Sequence, residues 1–423
     1  MKKPLIGFVG MTHLGLVSSV AAAEKEFDVI CFDPNESLVT QLKLVNLTIK
    51  EPKLDELIIK NQERIHFTSN TDDLYQCDLV YIAPDVSTDD SGKSDLTLIN
   101  TLLDKVFLAT KKDAICVILS QVPPGFTRAK KNNTRILFYQ VETLIFGRAI
   151  DRALFPERYI IGCEYPSNSL PLNYKMFLET HHCPILQMRY ESAELAKISI
   201  NACLVASITT ANTLAELCEQ IGADWSEIVS ALKLDKRIGE FAYLTPGLGI
   251  SGGNLERDLA TICNFADKYK TDATVVRAWL KNSHRRKSWP IDILHNNIVN
   301  NSNKDLIVAI WGLAYKEDTD SVKNSPSLMA ISQLQSIKIN VYDPVVTWKS
   351  DWHPNANYCS TALEAIRGAD ALLIMTPWPE FKNWTAKEIF KKLNHQLIID
   401  PYNLLSSAND QDVKGVYILG KKT

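Results

Sequence analysis

A glycine-flanked turn, an acid beyond it and a lysine–asparagine pair are the residues of this sequence whose types and spacing could carry chemistry. The turn is Gly10-Met11-Thr12-His13-Leu14-Gly15, set between an apolar run (LIGFVG, 5–10) and a stretch rich in small residues with helical potential. A glycine at the end of such a strand makes the tight turn, and one at the helix start lets helix pack on strand. The backbone N–H groups there can then receive a pyrophosphate. Asp33, in the Asp33-Pro34 step that closes the next strand-like run, stands where a carboxylate accepts a ribose 2′-hydroxyl. The same charge repels a 2′-phosphate, so NAD is favoured over NADP. Thr12 takes the middle glycine position, and its side chain fills space that a pyrophosphate uses, although its hydroxyl could donate to a phosphate. The turn therefore fits two readings: a dinucleotide seat, and a Rossmann turn that no longer holds one. Lys197 and Asn201 are one helical turn apart and share a face, offering a cation and an amide donor. A glycine cluster from Gly247 to Gly253 could bring backbone N–H groups close to a substrate, or be a plain flexible loop.

The elements that must hold these residues follow from the apolar pattern. Strand-like runs at 5–10, 27–32, 78–84, 114–120 and 158–163 alternate with helical stretches, which predicts a parallel sheet covered by helices on both faces. From about Ser192 to Ile221 no glycine or proline intervenes and apolar residues recur at helical spacing, predicting a long helix that Gly222 could stop. Helical signal runs on to about 297, interrupted by the 247–253 glycines. After the polar stretch at 296–305 the first grammar returns: strands at 306–312, 339–344, 371–377 and 397–400, with a helix at about 326–336. The expected fold is α/β, with two Rossmann-like, doubly wound parallel-sheet domains joined by a long central helix and helical connector. Its expected limits are 1–190 for an NAD-binding domain, 191–298 for a central helical dimerisation domain and 299–423 for a nucleotide-sugar-binding domain.

Composition excludes several classes. With 46 Lys and Arg against 49 Asp and Glu in 423 residues, no basic excess points to nucleic acid or an anionic membrane. The nine cysteines, an odd number, are spread singly without metal spacing. That reads as reduced thiols in a cytoplasmic protein rather than a disulfide frame or a zinc site. The N-terminus lacks signal-peptide character, and no uninterrupted apolar stretch reaches about 18 residues, so no membrane span is expected.

Many segments, in order, resemble the UDP-glucose/GDP-mannose dehydrogenase family nearly end to end. They include the Gly10–Gly15 turn with Asp33-Pro34, Glu51-Pro52, Ala83-Pro84 followed by 90–96 (DSGKSDL), and Ser120-Gln121-Val122-Pro123-Pro124-Gly125. Further along come 142–147 (ETLIFG), 194–202 (ELAKISINA), 235–239 (DKRIG), 246–253 (PGLGISGG), 312–316 (GLAYK), 318–320 (DTD), Ser325-Pro326 and Tyr342-Asp343-Pro344. The resemblance implies two successive oxidations of C6 of a nucleotide sugar, from alcohol to carboxylate, with two NAD⁺ and a cysteine that captures the aldehyde and is released by thioester hydrolysis. It places Gly10, Thr12, Leu14, Gly15, Asp33, Ala83, Pro84, Ser120, Gln121 and Lys323 around NAD. Leu144, Arg237, Tyr243, Gly249 and Lys316 fall around the sugar nucleotide, with UDP the best-fitting head, Arg237 reaching into a partner's site and Phe241 an alternative to Tyr243 against the base. Lys197 and Asn201 would stabilise the developing alkoxide, Asp258 would position water for proton removal, and Glu142 would activate hydrolytic water. A homodimer built on the long helix is also implied, with no metal.

The cysteine is missing. Gly252-Gly253 is followed by Asn254, then Leu255, Glu256, Arg257 and Asp258, and the nearest thiol, Cys263, is expected inside the following helix as a small buried hydrophobe. An amide forms no thioester. Other family positions read Gln121 for threonine, Phe146 for a glutamate and Lys323 for an arginine, and Thr376-Pro377-Trp378 and Asp400-Pro401-Tyr402-Asn403 replace two further elements. The expectation is an NAD-dependent nucleotide-sugar oxidoreductase limited to one two-electron step. The alternatives are a non-catalytic or regulatory paralogue that binds a nucleotide sugar, and a redox-neutral reaction with NAD retained.

Overall fold

The apolar run at the start of the chain forms β1 (Ile6–Val9), buried throughout, as a central parallel strand between two helical layers requires. The structure, a computed structural model, describes residues 2–87, 89, 93–132, 134–298, 305–405 and 414–422. Contacts divide the chain into two compact units, Met1–Ile200 and Asn201–Thr423, and the division falls inside a single helix. Parts of two segments singled out in the sequence, 90–92 in the DSGKSDL element and 299–304 in the polar stretch, lie outside the described residues.

In the first unit β1 is joined by β2 (Val29–Phe32), β3 (Ile65–Thr68), β4 (Leu79–Ile82), β5 (Ile115–Ile118), β6 (Ile136–Gln140), β7 (Tyr159–Cys163) and β8 (Ile185–Arg189). The sheet order is β3-β2-β1-β4-β5-β6-β7-β8, the doubly wound order extended by two strands. One pairing departs from the expected parallel sheet. β7 runs antiparallel to β6, through Tyr139↔Gly162 and Gln140↔Ile161. A parallel return needs a crossover of a dozen or more residues that lies across the sheet. The link between β6 and β7 holds the six-residue helix Ala149–Leu154, which packs on the first helix instead. Apolar cores line both sheet faces, one built on Phe8, Leu16, Val17 and Tyr81, the other on Val9, Val80, Leu103 and Ile118.

The second unit repeats the order with β9 (Ile307–Trp311), β10 (Lys338–Tyr342), β11 (Ala356–Tyr358), β12 (Ala371–Ile374), β13 (Ile398–Ile399) and β14 (Val416–Tyr417), arranged β11-β10-β9-β12-β13-β14 and parallel throughout. Its helices include Trp225–Leu234, Asn254–Tyr269 and Thr274–Asn297. The helical connector is broken over 235–253, a wider gap than the glycines alone predict. Asp235 starts the break, accepting from Arg237 N at 2.9 Å through its side chain and from Gly239 N at 2.8 Å through its carbonyl.

The long helix, Tyr190–Ile221, begins where expected, without proline or glycine to stop it. Among the described helices it is long and apolar enough, by length and composition, to cross a membrane. A mean over a window tolerates charges that an uninterrupted run does not, which is why the sequence rule passes it over. Its first turns serve as core here, with Tyr190, Ala193 and Glu194 fully buried. Its last turn presents Glu219, whose carboxylate accepts from the buried Arg286 (3.1 Å), from Trp289 Nε1 (2.9 Å) and from Gly420 N (2.9 Å), while Trp225 N donates to Gly420 O (2.9 Å). The last described residues are thereby fastened to the helical part of their own unit.

Candidate active site

In a doubly wound sheet the ligand crevice opens at the carboxyl ends of the strands, where the order reverses. In the first unit that point lies between β1 and β4. The loops that follow these strands carry Gly10–Gly15 and Ala83–Asp85. Gly10 adopts φ +92, and a Cβ on Gly15 would stand 1.9 Å from Gly10 O, so the strand–helix approach the two glycines were expected to permit is realised. Asp33, at the end of β2, accepts from Met11 N (2.8 Å) and Asn35 N (2.9 Å) and keeps a small exposed edge, as a ribose-binding carboxylate must. The residues thus fit the adenosine ribose of NAD.

At the pyrophosphate end the chain's own groups stand in the way. Thr12 N-caps the first helix (His13–Glu24) without a side-chain capping bond. Its hydroxyl instead accepts from Asp85 N at 2.8 Å and lies 3.4 Å from Ala83 O. Pro84 and Ser120 are buried, and Ser120 Oγ donates to Pro84 O at 2.5 Å, so that hydroxyl braces the loop rather than pointing to a ligand. Gln121 is half-buried beside it. Asp85 is exposed as a residue, but the protein atoms packed around its carboxyl raise that group above the usual aspartate range. His13 lies under Phe146, ring centroids 4.1 Å apart, and meets the buried Glu51 at 3.1 Å. Glu51 also accepts from Gly147 N (3.0 Å) and Ala149 N (2.7 Å), pinning the loop that carries Phe146.

Two further carboxylates organise this unit. Glu142 pairs with Lys197 Nζ at 2.9 Å and accepts from Leu144 N at 2.8 Å, so the structure brings Glu142, Leu144 and Lys197 together. Glu194, wholly buried, accepts from Gly125 N (2.6 Å) and Thr127 N (2.8 Å) and so fixes the Ser120–Gly125 loop. Burial pushes its carboxyl above the usual glutamate range despite those bonds. Sequence reasoning assigned no role to Asp85 or Glu194. Their partners are far away in the chain, and no local spacing announces them.

In the second unit Asn201 Nδ2 donates to Asp258 Oδ2 at 2.5 Å, and Arg257 Nε to Asp258 Oδ1 at 3.1 Å, with Asp258 fully buried. An amide, a guanidinium and a carboxylate meet there, a set suited to holding a hydroxyl and directing its proton. Asn254 is the exposed first residue of the helix Asn254–Tyr269, aligned with its N–H groups. Cys263 lies in the same helix, packed with Val205, Leu259 and Ala266 in an apolar cluster, as its hydrophobic reading requires. Gly249 (φ +76) packs on Ser283, where an added Cβ would come within 2.5 Å of the carbonyl oxygen. Its place is thus explained by helix packing. Lys323 accepts from Gly252 N through its carbonyl (3.1 Å), and its stem packs on Gly253. Lys316 is half-buried in the loop after β9. Arg237 and Tyr243 are exposed, and Arg237 pairs with Asp235 at 2.6 Å.

The two units use their equivalent acids differently. Asp343, at the end of β10, is 2 % exposed and accepts from Leu313 N, Ala314 N, Val345 N, Val346 N and Trp378 Nε1. No oxygen of Asp343 is left to a ribose in the manner of Asp33, which sets the second crevice apart from a dinucleotide seat.

Comparison with known proteins matches the chain in three successive segments. Residues 4–177 match the profile of the UDP-glucose/GDP-mannose dehydrogenase family, NAD binding domain, residues 191–284 its central domain and residues 309–407 its UDP binding domain. The UDP-glucose 6-dehydrogenase TuaD of Bacillus subtilis is 29% identical over 433 residues, covering 99% of this chain and 92% of that protein. The UDP-glucose 6-dehydrogenase of Rickettsia conorii is 28% identical, covering 99% of each. Among solved structures, a UDP-D-ManNAc dehydrogenase from Pyrococcus horikoshii has the same fold, with a TM-score of 0.84 at 23% identity over 98% of this chain and 99% of that one. A UDP-glucose dehydrogenase from Pyrobaculum islandicum gives 0.83 at 21% identity over 100% and 98%.

Proposed function

Because this chain belongs to the UDP-glucose/GDP-mannose dehydrogenase family, we propose that it is an NAD-dependent oxidoreductase acting on the CH–OH group of a nucleotide sugar, a UDP-sugar first, and that it stops after one two-electron oxidation. The second half rests on Asn254, which falls at the family's cysteine position when Gly252, Arg257 and Asp258 are matched to the family motif. Bound NAD⁺ supplies the hydride acceptor. Asp33 would hold its ribose; Asp258, oriented by Asn201 and Arg257, would direct the hydroxyl proton; Lys197, held by Glu142, would supply positive charge for a developing alkoxide. With an amide at 254 no covalent adduct forms, and the oxidised sugar leaves at the aldehyde or ketone level.

The test is to count NADH per sugar consumed by the purified protein across a panel of UDP-sugars. About one equivalent and a carbonyl product are expected, and a uronic acid from the wild-type protein would sink the one-step reading. A second reading, a nucleotide-sugar-binding paralogue without turnover, is favoured by Thr12 and Phe146 beside the cofactor seat. It is distinguished by UDP-sugar binding with no NADH.

A second copy of the chain is the proposed partner. Leu214, Leu217 and Ile221 recur on one face of the long helix, with Ile228 and Leu234 on the next, all exposed. Sedimentation at micromolar concentration is expected to give twice the monomer mass, and replacing Leu217 and Ile221 together by Glu to return it to monomer.

A further inference from the structure

A helix N-terminus attracts anions because its first N–H groups lack intrahelical partners and the peptide dipoles converge there. In the first unit this end of the first helix is where a pyrophosphate is received. It already holds an anion of the chain's own making. Asp85, from the loop after β4, brings its carboxylate to Leu14 N, the second N–H of the helix, at 3.4 Å. The contact is held in place by Asp85 N, which donates to Thr12 Oγ at 2.8 Å. Thr12 thus blocks the middle-glycine space and also ties Asp85 across the crevice. Its own side chain makes no capping bond, so among the described residues the side chain standing in for the cap is that of Asp85.

We propose that Asp85 acts as an internal anion in the pyrophosphate seat, so that NAD⁺ is admitted only as this carboxylate is displaced from Leu14 N, and that Asp85 thereby sets the cofactor affinity. The inference rests on the reading that the chain uses NAD. It accounts for the departure at Thr12, because a threonine hydroxyl supplies the acceptor that anchors the loop and a glycine supplies none. The titratable groups that face Asp85 are His13 on the first helix and Glu142 in the loop after β6. Glu51 contacts His13 from behind at 3.1 Å and Lys197 is paired with Glu142, so both are already engaged when a diphosphate is brought beside Asp85. Protein atoms packed around the carboxyl raise its pKa above the usual aspartate range, although residue 85 itself is exposed.

Calorimetric titration of the full chain with NAD⁺ tests this in wild type, Asp85→Asn and Asp85→Gly. Asn keeps an acceptor for Leu14 N without the charge, and Gly removes both. NAD⁺ affinity at pH 7.5 is expected to rise in the order Asp, Asn, Gly, with Gly roughly tenfold or more tighter than wild type. Adenosine, which lacks phosphate, is expected to show no such order. Wild-type affinity should also rise on acidification through the range in which the Asp85 carboxyl takes up its proton, and that of Asp85→Asn should lack this rise. A merely structural cap would give the reverse order, with Gly weakest. Equal or weaker binding by both variants, or no binding by any of the three proteins, overturns the assignment. UDP-glucose titrated in the same series reads the dehydrogenase proposal separately. If UDP-glucose binds and NAD⁺ affinity ignores residue 85, only the Asp85 inference fails. If the variants bind NAD⁺ more tightly yet no UDP-sugar yields NADH, the inference stands and the redox reading fails.

Discussion

Replacing Asn254 by cysteine is expected to carry the reaction to the carboxylate, with about two NADH formed per sugar in place of about one. Residue 254 is the first of the helix Asn254–Tyr269, where unpaired N–H groups and the dipole favour an anion. A cysteine at such a position typically ionises at pH values of roughly 4 to 7, well below a free thiol, so a thiolate is available at neutral pH. Its sulfur adds to the aldehyde carbon, hydride then leaves to a second NAD⁺, and water cleaves the thioester, regenerating the thiolate. Glu256 in the same first turn opposes ionisation, but its carboxylate pairs with Lys287 at 3.0 Å and accepts from Asn324 Nδ2. Asn254→Ser, which provides an oxygen but no good leaving group, is the control, expected to stay at one equivalent. Mass analysis of the sugar product decides the matter. A variant with a titratable thiol at 254 that still yields only the carbonyl product would show that the scaffold, and not the missing sulfur, limits the chemistry.

Glu194→Ala is expected to destabilise the first unit by about 3 kcal/mol, because it leaves the N–H groups of Gly125 and Thr127 without their acceptor. Urea unfolding followed by intrinsic fluorescence reads the loss, and a midpoint within error of wild type would overturn it. The Ser120–Gly125 loop should loosen with it, so the NAD⁺ Kd is expected to rise as well. The pH dependence has a definite sign. The folded carboxyl holds its proton to higher pH than an unfolded glutamate. The native state therefore binds more protons in that interval, and its stability falls as pH rises from the ordinary glutamate range through the folded pKa. Above that point the contribution is constant, and in Glu194→Ala the fall is absent.

Where the chain is buried on both sides, its sequence declares the fold. The runs that became β1, β4, β5, β9 and β12 are continuous and apolar, and are buried almost without exception. β3 and β8 are edge strands with half-exposed residues, and β14 is two residues long, so none shows a run to recognise. The antiparallel turn into β7 follows from the packing of a short helix, which no strand pattern encodes. At the site, the resemblance pointed to Glu142, Lys197, Asn201 and Asp258 one by one, and their pairing as Glu142–Lys197 and Asn201–Asp258 is visible only in the structure. Asp85 and Glu194 act on backbone N–H groups 71 and 67–69 residues away, and a hydrogen bond to a main-chain group leaves no mark in the identity of the residue that donates. Thr12 was legible as an obstruction but not as an anchor, because the anchored residue is visible only once β1 and β4 are adjacent.

The fastening of Gly420 to Glu219 bears on the order in which the second unit can be made. The two residues are 201 positions apart, and Glu219 also orients Arg286 and Trp289. During synthesis, the helices that carry these side chains leave the ribosome long before their last partner exists. Closing so long a loop costs chain entropy that only the finished contact repays. The second unit is therefore expected to finish after the first, once residue 420 is available to Glu219. In pulse-labelled hydrogen exchange, the amides around Gly420 and Trp225 are expected to gain protection after those of the first unit's sheet.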